Sequence, residues 1–317
     1  MENGEEAGKV KIIHISDGWE GTNGAANIAR MIAEEQEKAG HRVRLARWAS
    51  AGELCSADQV WVHCAWKPCL WWAALWGRDV HWMPEASYDP MRLAYHGWKK
   101  WLVGPIERFF LRRAAVVVAA CGAEAEWIRA YEPRVKRIEV TDVKRFFRIE
   151  NGELRIENAR GLHLLYLGRR HPLKGVEYLE RALRELGGQK TEDRRQRVED
   201  RGQSMGSCCE LRVVSDAFAE EKEKVWEWCD VLVLPTLSEN FGLVVAEALE
   251  RGKRVITTDG APAWGSCGDF GGKLKYIEGY RDGTPDDRVR LLSEAIEGLV
   301  RGRQVCYNET PLRKEGT

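Results

Sequence analysis

Net charge is absent from this sequence: 49 basic residues balance 49 acidic ones over 317 residues. The chain as a whole therefore has no global attraction to nucleic acid or to anionic membrane, and any electropositive site must be local. A long apolar run is also missing. The densest stretch, Cys64–Trp76, is broken by Lys67 and Pro68 and is too short to span a bilayer. The opening MENGEEAGKV has neither the basic start nor the apolar core of a secretory signal. The expected location is the cytoplasm, including the inner face of the membrane. No CxxC pair occurs, and the nine cysteines are an odd number scattered along the chain. They read as reduced, mostly buried thiols rather than disulfides or a metal site. Apolar residues are nearly missing from 187–209 (GGQKTEDRRQRVEDRGQSMGSCC), so a disordered loop is expected there.

What is present suffices for two domains with sizeable cores, since 44 % of the residues are hydrophobic. Eleven of fourteen tryptophans precede residue 130. They fit core packing, a sugar-stacking surface or a membrane contact. Short apolar runs alternate with helical patterns. KVKIIHIS, residues 43–46, QVWVH, DVHWM and AVVVAA read as strands. A helix ends at Gly40, and residues 92–115 read as one long helix. A second series begins at Leu162. Strands HLLYLG, ELRVV, DVLVLP and RVITTD alternate with helices over 175–186, 219–229 and 243–251, and an amphipathic helix follows over 288–300. The polar stretch 148–161, with IEN occurring twice, reads as a linker or hairpin. Alternating strands and helices predict an α/β protein with two Rossmann-like domains, 9–147 and 162–302, with a ligand cleft expected between them.

Two segments carry chemistry. In Gly168-Arg169-Arg170-His171-Pro172-Leu173-Lys174-Gly175, a strand ends and a helix is about to begin. A guanidinium and an ammonium five positions apart at the carboxyl end of a parallel strand can both reach one diphosphate, though a solvated basic turn would look the same. In PTLSENFGLVVAEALERG, Glu239 lies in a loop and Glu247 on the following helix. Carboxylates so placed can accept hydrogen bonds from vicinal sugar hydroxyls, and the helix start offers N–H groups to anionic oxygens. Two ordinary surface glutamates are the plainer alternative.

Together, the order LGRRHPLKG and then PTLSENFGLVVAEALERGKRVITTDGAPAW resembles the GT-B glycosyltransferases of family 4, the group 1 transferases. Their nucleotide-binding half carries a GR…KG loop and an E-x7-E motif. The resemblance implies two Rossmann-like domains facing across a cleft, and a retaining transfer from a nucleoside diphosphate sugar to a glycan or glycolipid acceptor in cell-surface polysaccharide or lipopolysaccharide synthesis. Arg169, Lys174 and Glu239 would be the catalytic set, the two cations on the diphosphate and the glutamate on the donor sugar. Glu247 would bind ribose hydroxyls. Gly168, Asn240, Phe241 and Gly242 would bring backbone to the donor. Neither cofactor nor metal is expected, in keeping with the lack of an Asp-x-Asp motif; the cations stabilise leaving charge instead.

The first half resembles the family more faintly. GWEGTNG, with Gly21 and Gly24, would match the glycine-rich loop after the first strand. Glu85 stands about where many relatives have a histidine, so Glu85 and His81 (with His63) become the acceptor-side candidates. Trp98, Lys99, Lys100 and Trp101, with Arg108, Phe109, Arg112 and Arg113 beyond, suggest a membrane-facing helix as well as a solvated one. The expected partners are a nucleotide sugar and a glycan or lipid-linked acceptor, not nucleic acid. A degenerate relative that binds nucleotide or a partner, and a nucleotide-sugar epimerase, are the competing readings.

Overall fold

The structure is a computed structural model that describes residues 9–19, 24–95, 97–149, 162–187, 209–215, 219–265, 267–268 and 270–308. It divides into two compact units. The first is residues 1–147 together with 238–243; the second is 148–237 with 244–317. The linker expected at 148–161 and the charged loop expected at 187–209 fall almost wholly outside the described residues.

The first unit runs β1 (Lys11–Ile15), α1 (Gly24–Lys38), β2 (Arg42–Ala46), α2 (Ala51–Ser56), β3 (Gln59–His63), α3 (Pro68–Trp76), β4 (Val80–Met83), α4 (Pro90–Ala94), α5 (Gly97–Arg113), β5 (Val116–Ala119), α6 (Gly122–Tyr131) and β6 (Ile138–Val140). Its six strands are ordered β2-β1-β3-β4-β5-β6, every pair parallel. β5, inside the edge strand β6, is buried along its whole length, as a parallel strand covered on both faces must be. Edge strand β2 instead exposes Arg42 and Arg44, which discourages pairing with another chain. The core gathers Ile13, Val60, Val62, Leu70, Ala73, Trp82, Leu111 and Val117.

The helix expected over 92–115 is two helices. Asp89 caps a new start by accepting from Met91 N, with Pro90 in the first turn, so the first helix begins early. Tyr95 then leaves helical geometry (φ −71°, ψ 116°). The freed carbonyls of Arg92 and Tyr95 accept from Lys100 Nζ, which stabilises the break. On the inner side of α5, Glu107 is buried and accepts from Tyr88 Oη (2.7 Å), Trp71 Nε1 (2.5 Å) and Trp66 N (3.4 Å). The tryptophans divide between roles: Trp82 is core, while Trp48, Trp72, Trp76, Trp98 and Trp101 are exposed.

The second unit runs β7 (Leu162–Leu167), α7 (Val176–Glu185), β8 (Cys209–Val214), α8 (Ala219–Trp228), β9 (Val231–Leu234), α9 (Leu243–Glu250), β10 (Arg254–Thr258), β11 (Leu274–Ile277) and α10 (Pro285–Asn308). Its parallel sheet is ordered β11-β10-β9-β7-β8. α10 packs on α7, where Arg288 Nη1 donates to Tyr178 Oη (2.9 Å).

Candidate functional site

In each sheet the strand order reverses direction at one place, and open α/β sheets bind ligands at the carboxyl ends of the strands there. In the second unit that place lies between β7 and β9, paired through Leu164↔Val231 and Leu165↔Leu232. The loops leaving these two strands are 168–175 and 235–242, the two motif segments.

These loops are fastened to each other. The carbonyl of Leu173 accepts from Leu237 N (2.9 Å) and from Thr236 Oγ1 (3.1 Å). Gly175 has φ +64°, and a Cβ there would lie 2.1 Å from the Pro235 carbonyl oxygen, so only glycine permits the approach. The cationic loop is shaped from within as well. Tyr166 Oη donates to the Arg169 carbonyl (2.8 Å), and His171 Nδ1 accepts from Leu173 N (3.2 Å), capping the turn Pro172–Lys174. Arg169 is exposed and Lys174 half-buried. Gly168, preceding Arg169, ends the strand and donates its N–H to the Val214 carbonyl.

On α9, Glu247 is held by Lys222 Nζ at 2.7 Å. The segment 238–243 contains Glu239, whose Oε1 accepts from Asn240 N (3.2 Å). Gly242 makes the turn at φ +73°, and Phe241 is buried, stacked on Phe147. Both polar atoms of the Asn240 side chain are buried without a hydrogen-bond partner. An unmet buried amide is costly, which makes this group a candidate to be satisfied by a ligand. From the sequence, only the backbone of Asn240 is expected at the donor.

Residues 161–269 match the family described as "Glycosyl transferases group 1", and residues 46–143 match "Glycosyl transferase 4-like domain". The chain belongs to the group 1 glycosyltransferases. The architecture of this transferase is the GT-B fold, similar to that of sucrose-phosphate synthase (tll1590) from Thermosynechococcus elongatus (TM-score 0.62, 15% identity, covering 92% of this chain and 89% of that one). It is also similar to WaaG, a glycosyltransferase involved in lipopolysaccharide biosynthesis (TM-score 0.58, 13% identity, 92% of each chain). A glycosyltransferase from Rickettsia africae ESF-5 is a third (TM-score 0.54, 13% identity, 93% and 94%). No curated protein matches the chain in sequence.

In the first unit of the transferase the reversal lies between β1 and β3. Of the residues expected there, Gly21 lies outside the described residues, and Gly24 opens α1. His81 sits within β4, stacked on Trp61 (4.8 Å between centroids), with Nε2 3.1 Å from Asp79 Oδ2. Glu85 is buried just past the end of β4.

The loops after β3 and β4 have unusual backbones. Cys64 (φ +73°), Trp66 (+67°), Glu85 (+56°) and Ala86 (+56°) are four of the five non-glycine residues at positive φ among those described. Each such residue costs about 1 kcal/mol or more, so neighbours must enforce it. They do. Trp82 Nε1 donates to the Cys64 carbonyl (2.8 Å), and Trp66 N donates to Glu107. Arg92 Nη1 donates to the Glu85 carbonyl (3.1 Å), and Ala86 N donates to Glu124 Oε1 (2.5 Å). Arg92 also donates through Nε to Ser238 Oγ (2.9 Å), and Ser238 in turn bonds Asp89 Oδ2 (2.5 Å). Asp89, Arg92, Glu107 and Glu124 were missed in the sequence; Asp89-Pro90, a helix-start signature, was the one available signal.

Proposed function

We propose that this group 1 transferase moves a sugar, with retention, from a nucleoside diphosphate sugar to a glycan or glycolipid acceptor, in cell-surface polysaccharide or lipopolysaccharide synthesis. The observation that carries the reading is the Leu173 carbonyl joining the cationic loop to the strand end that leads into Glu239. Arg169 and Lys174 bind the donor diphosphate and stabilise the departing nucleotide without a metal. Glu239 contacts the donor sugar, the backbone of 240–242 lines it, and Glu247 accepts from ribose hydroxyls. The unmet Asn240 amide supports a polar ligand beside Glu239. Gly21, Gly24, His81 and Glu85 belong to the acceptor side. The pathway draws support from the likeness to WaaG, a glycosyltransferase involved in lipopolysaccharide biosynthesis.

Among the described residues no helix is long and apolar enough to cross a membrane. Contact with a bilayer surface is the alternative, and α5 suits it. Trp98, Trp101, Leu102, Ile106 and Phe109 are exposed (78 % for Trp101), with Lys99, Arg108 and Arg113 also at the surface. Apolar side chains among cations match an anionic headgroup layer. Lys100 is an exception, since its ammonium is turned onto the end of α4.

A thermal-shift panel of UDP-, GDP- and ADP-sugars identifies the donor, because a ligand of the folded state raises stability by mass action. Donor hydrolysis and transfer are then measured for Lys174→Ala and Glu239→Ala. Losses of at least ~10²-fold in kcat are expected; turnover near wild type in both would refute the assigned roles.

A further inference from the structure

A row of buried polar side chains runs through the first unit at the point where its strand order reverses. Gln36 Oε1, on α1, lies 2.7 Å from His14 Nε2 on β1. His14 Nδ1 lies 2.9 Å from His63 Nε2, the last residue of β3. His63 Nδ1 faces Glu85 Oε1 at 3.5 Å, and Glu85 Oε2 faces Cys64 Sγ at 3.8 Å. His14, His63 and Glu85 are all but wholly removed from solvent. His63 Nδ1 and Glu85 Oε1 are buried without a hydrogen-bond partner.

The direction of the chain follows from its far end. With the Gln36 amide oxygen placed against it, His14 Nε2 is the donor of this pair and carries the proton. Burial holds both histidines neutral. His14 Nδ1 is then a lone pair that accepts from His63 Nε2–H, which leaves His63 Nδ1 as a lone pair too. A carboxylate opposite it would set lone pair against lone pair, whereas a carboxylic acid would donate.

We propose that Gln36, His14 and His63 hold Glu85 as a neutral carboxylic acid with its proton on Oε1, and that in this form Glu85 is a positioning residue for the left-handed turn Glu85–Ala86 at the rim of the first unit. Other charged groups face it. Loss of solvent opposes ionisation, while the hydrogen bond from Cys64 Sγ and the Arg92 guanidinium on α4 favour it; Glu85 in turn raises the buried Glu124 carboxyl on α6. His81 on β4 bears on His14, and Lys67 bears on Cys64. Burial wins, moving Glu85 to about 8. On the acceptor side, then, Glu85 is no base near neutral pH; the proton released when an acceptor hydroxyl is glycosylated must leave by another group.

The measurements need no substrate, so they stand apart from the fate of the transferase roles. In wild-type protein at pH 7, nitrogen-15 NMR of the histidines should find His63 protonated on Nε2 and bare on Nδ1. Infrared spectra should contain a protonated-carboxyl band that disappears in Glu85→Gln. Above pH 8 the Ala86 amide should exchange faster than the rise in hydroxide alone accounts for, and in Glu85→Gln it should follow hydroxide. A His63 proton on Nδ1, or an infrared spectrum with no band that Glu85→Gln removes, would mean the chain runs the other way from an ionised Glu85, and would overturn the proposal. So would Ala86 exchange that is the same in both proteins.

Discussion

Replacing Gly175 by alanine tests the joint between the two motif loops directly. The residue has φ +64°, and its new Cβ would sit 2.1 Å from the Pro235 carbonyl oxygen and 3.1 Å from Tyr280 Oη. The left-handed backbone alone costs roughly 1–2 kcal/mol with a side chain. The overlap adds about 1–3 kcal/mol, the range for overpacking, because backbone cannot step aside as a side-chain tip can. At ~2–4 °C per kcal/mol, a loss of about 3 kcal/mol lowers Tm by roughly 6–12 °C. The effect on rate should be larger in proportion. Relief of the clash moves the 168–175 loop away from the end of β9 by about 1 Å, and a misplacement of that size costs ~10²-fold. The control is Gly252→Ala, at φ +69° with nothing within 4 Å, which carries the backbone term alone. Calorimetry and donor turnover on both variants decide the matter. Equal Tm shifts for the two, with turnover retained in Gly175→Ala, would refute the close approach.

Two further outcomes are expected. The first unit should be most stable between about pH 4.5 and 6.5. Glu85 and Glu124 are raised on folding from 4.5 to about 8 and about 7, so the folded state holds more protons and stability falls as pH rises through that window. His14 and His63 are lowered from 6.5 to about 3, so stability falls as pH drops below 6.5. Between 4.5 and 6.5 the two effects oppose each other, and Glu107, also raised by burial, tilts the balance toward the acid end. Beyond either end the slope is ~1.4 kcal/mol per pH unit for each group still titrating. A denaturant midpoint that rises steadily from pH 5 to pH 8 would contradict this. For the membrane reading, Trp98→Ala with Trp101→Ala should weaken binding to vesicles containing anionic lipid at least ~10-fold, since each side chain buries on the order of 2 kcal/mol of apolar surface. Unchanged binding would exclude α5 as the contact.

Nine of the eleven strands among the described residues were legible, most of them because buried parallel strands are short continuous apolar runs; the edge strands β6 and β11 were not read. VLVL of β9 is the plainest example, and β3 has the bounds read from the sequence. The family was legible from two motifs of unusual composition. Helix α3 was not, because PCLWWAALW is apolar on every side and offers no helical period. The break at Tyr95 was hidden behind a continuous helical pattern whose end depends on Lys100 reaching back. Least visible was the row Gln36–His14–His63–Glu85. It joins residues 22, 49 and 22 positions apart, so it exists only once α1, β1, β3 and the loop after β4 are in register. Four strained backbones likewise leave no mark in a sequence when the residues are Cys, Trp, Glu and Ala rather than glycine.

The shared oxygen of Leu173 bears on how such enzymes can be recombined. Since one carbonyl serves both Thr236 and Leu237, the resting shape of each loop depends in part on the other. A hybrid that takes the arginine–lysine turn from one parent and the glutamate turn from another inherits halves of a single fastening. Crossover points that keep residues 168–237 from one source should give working hybrids far more often than cuts placed inside that interval.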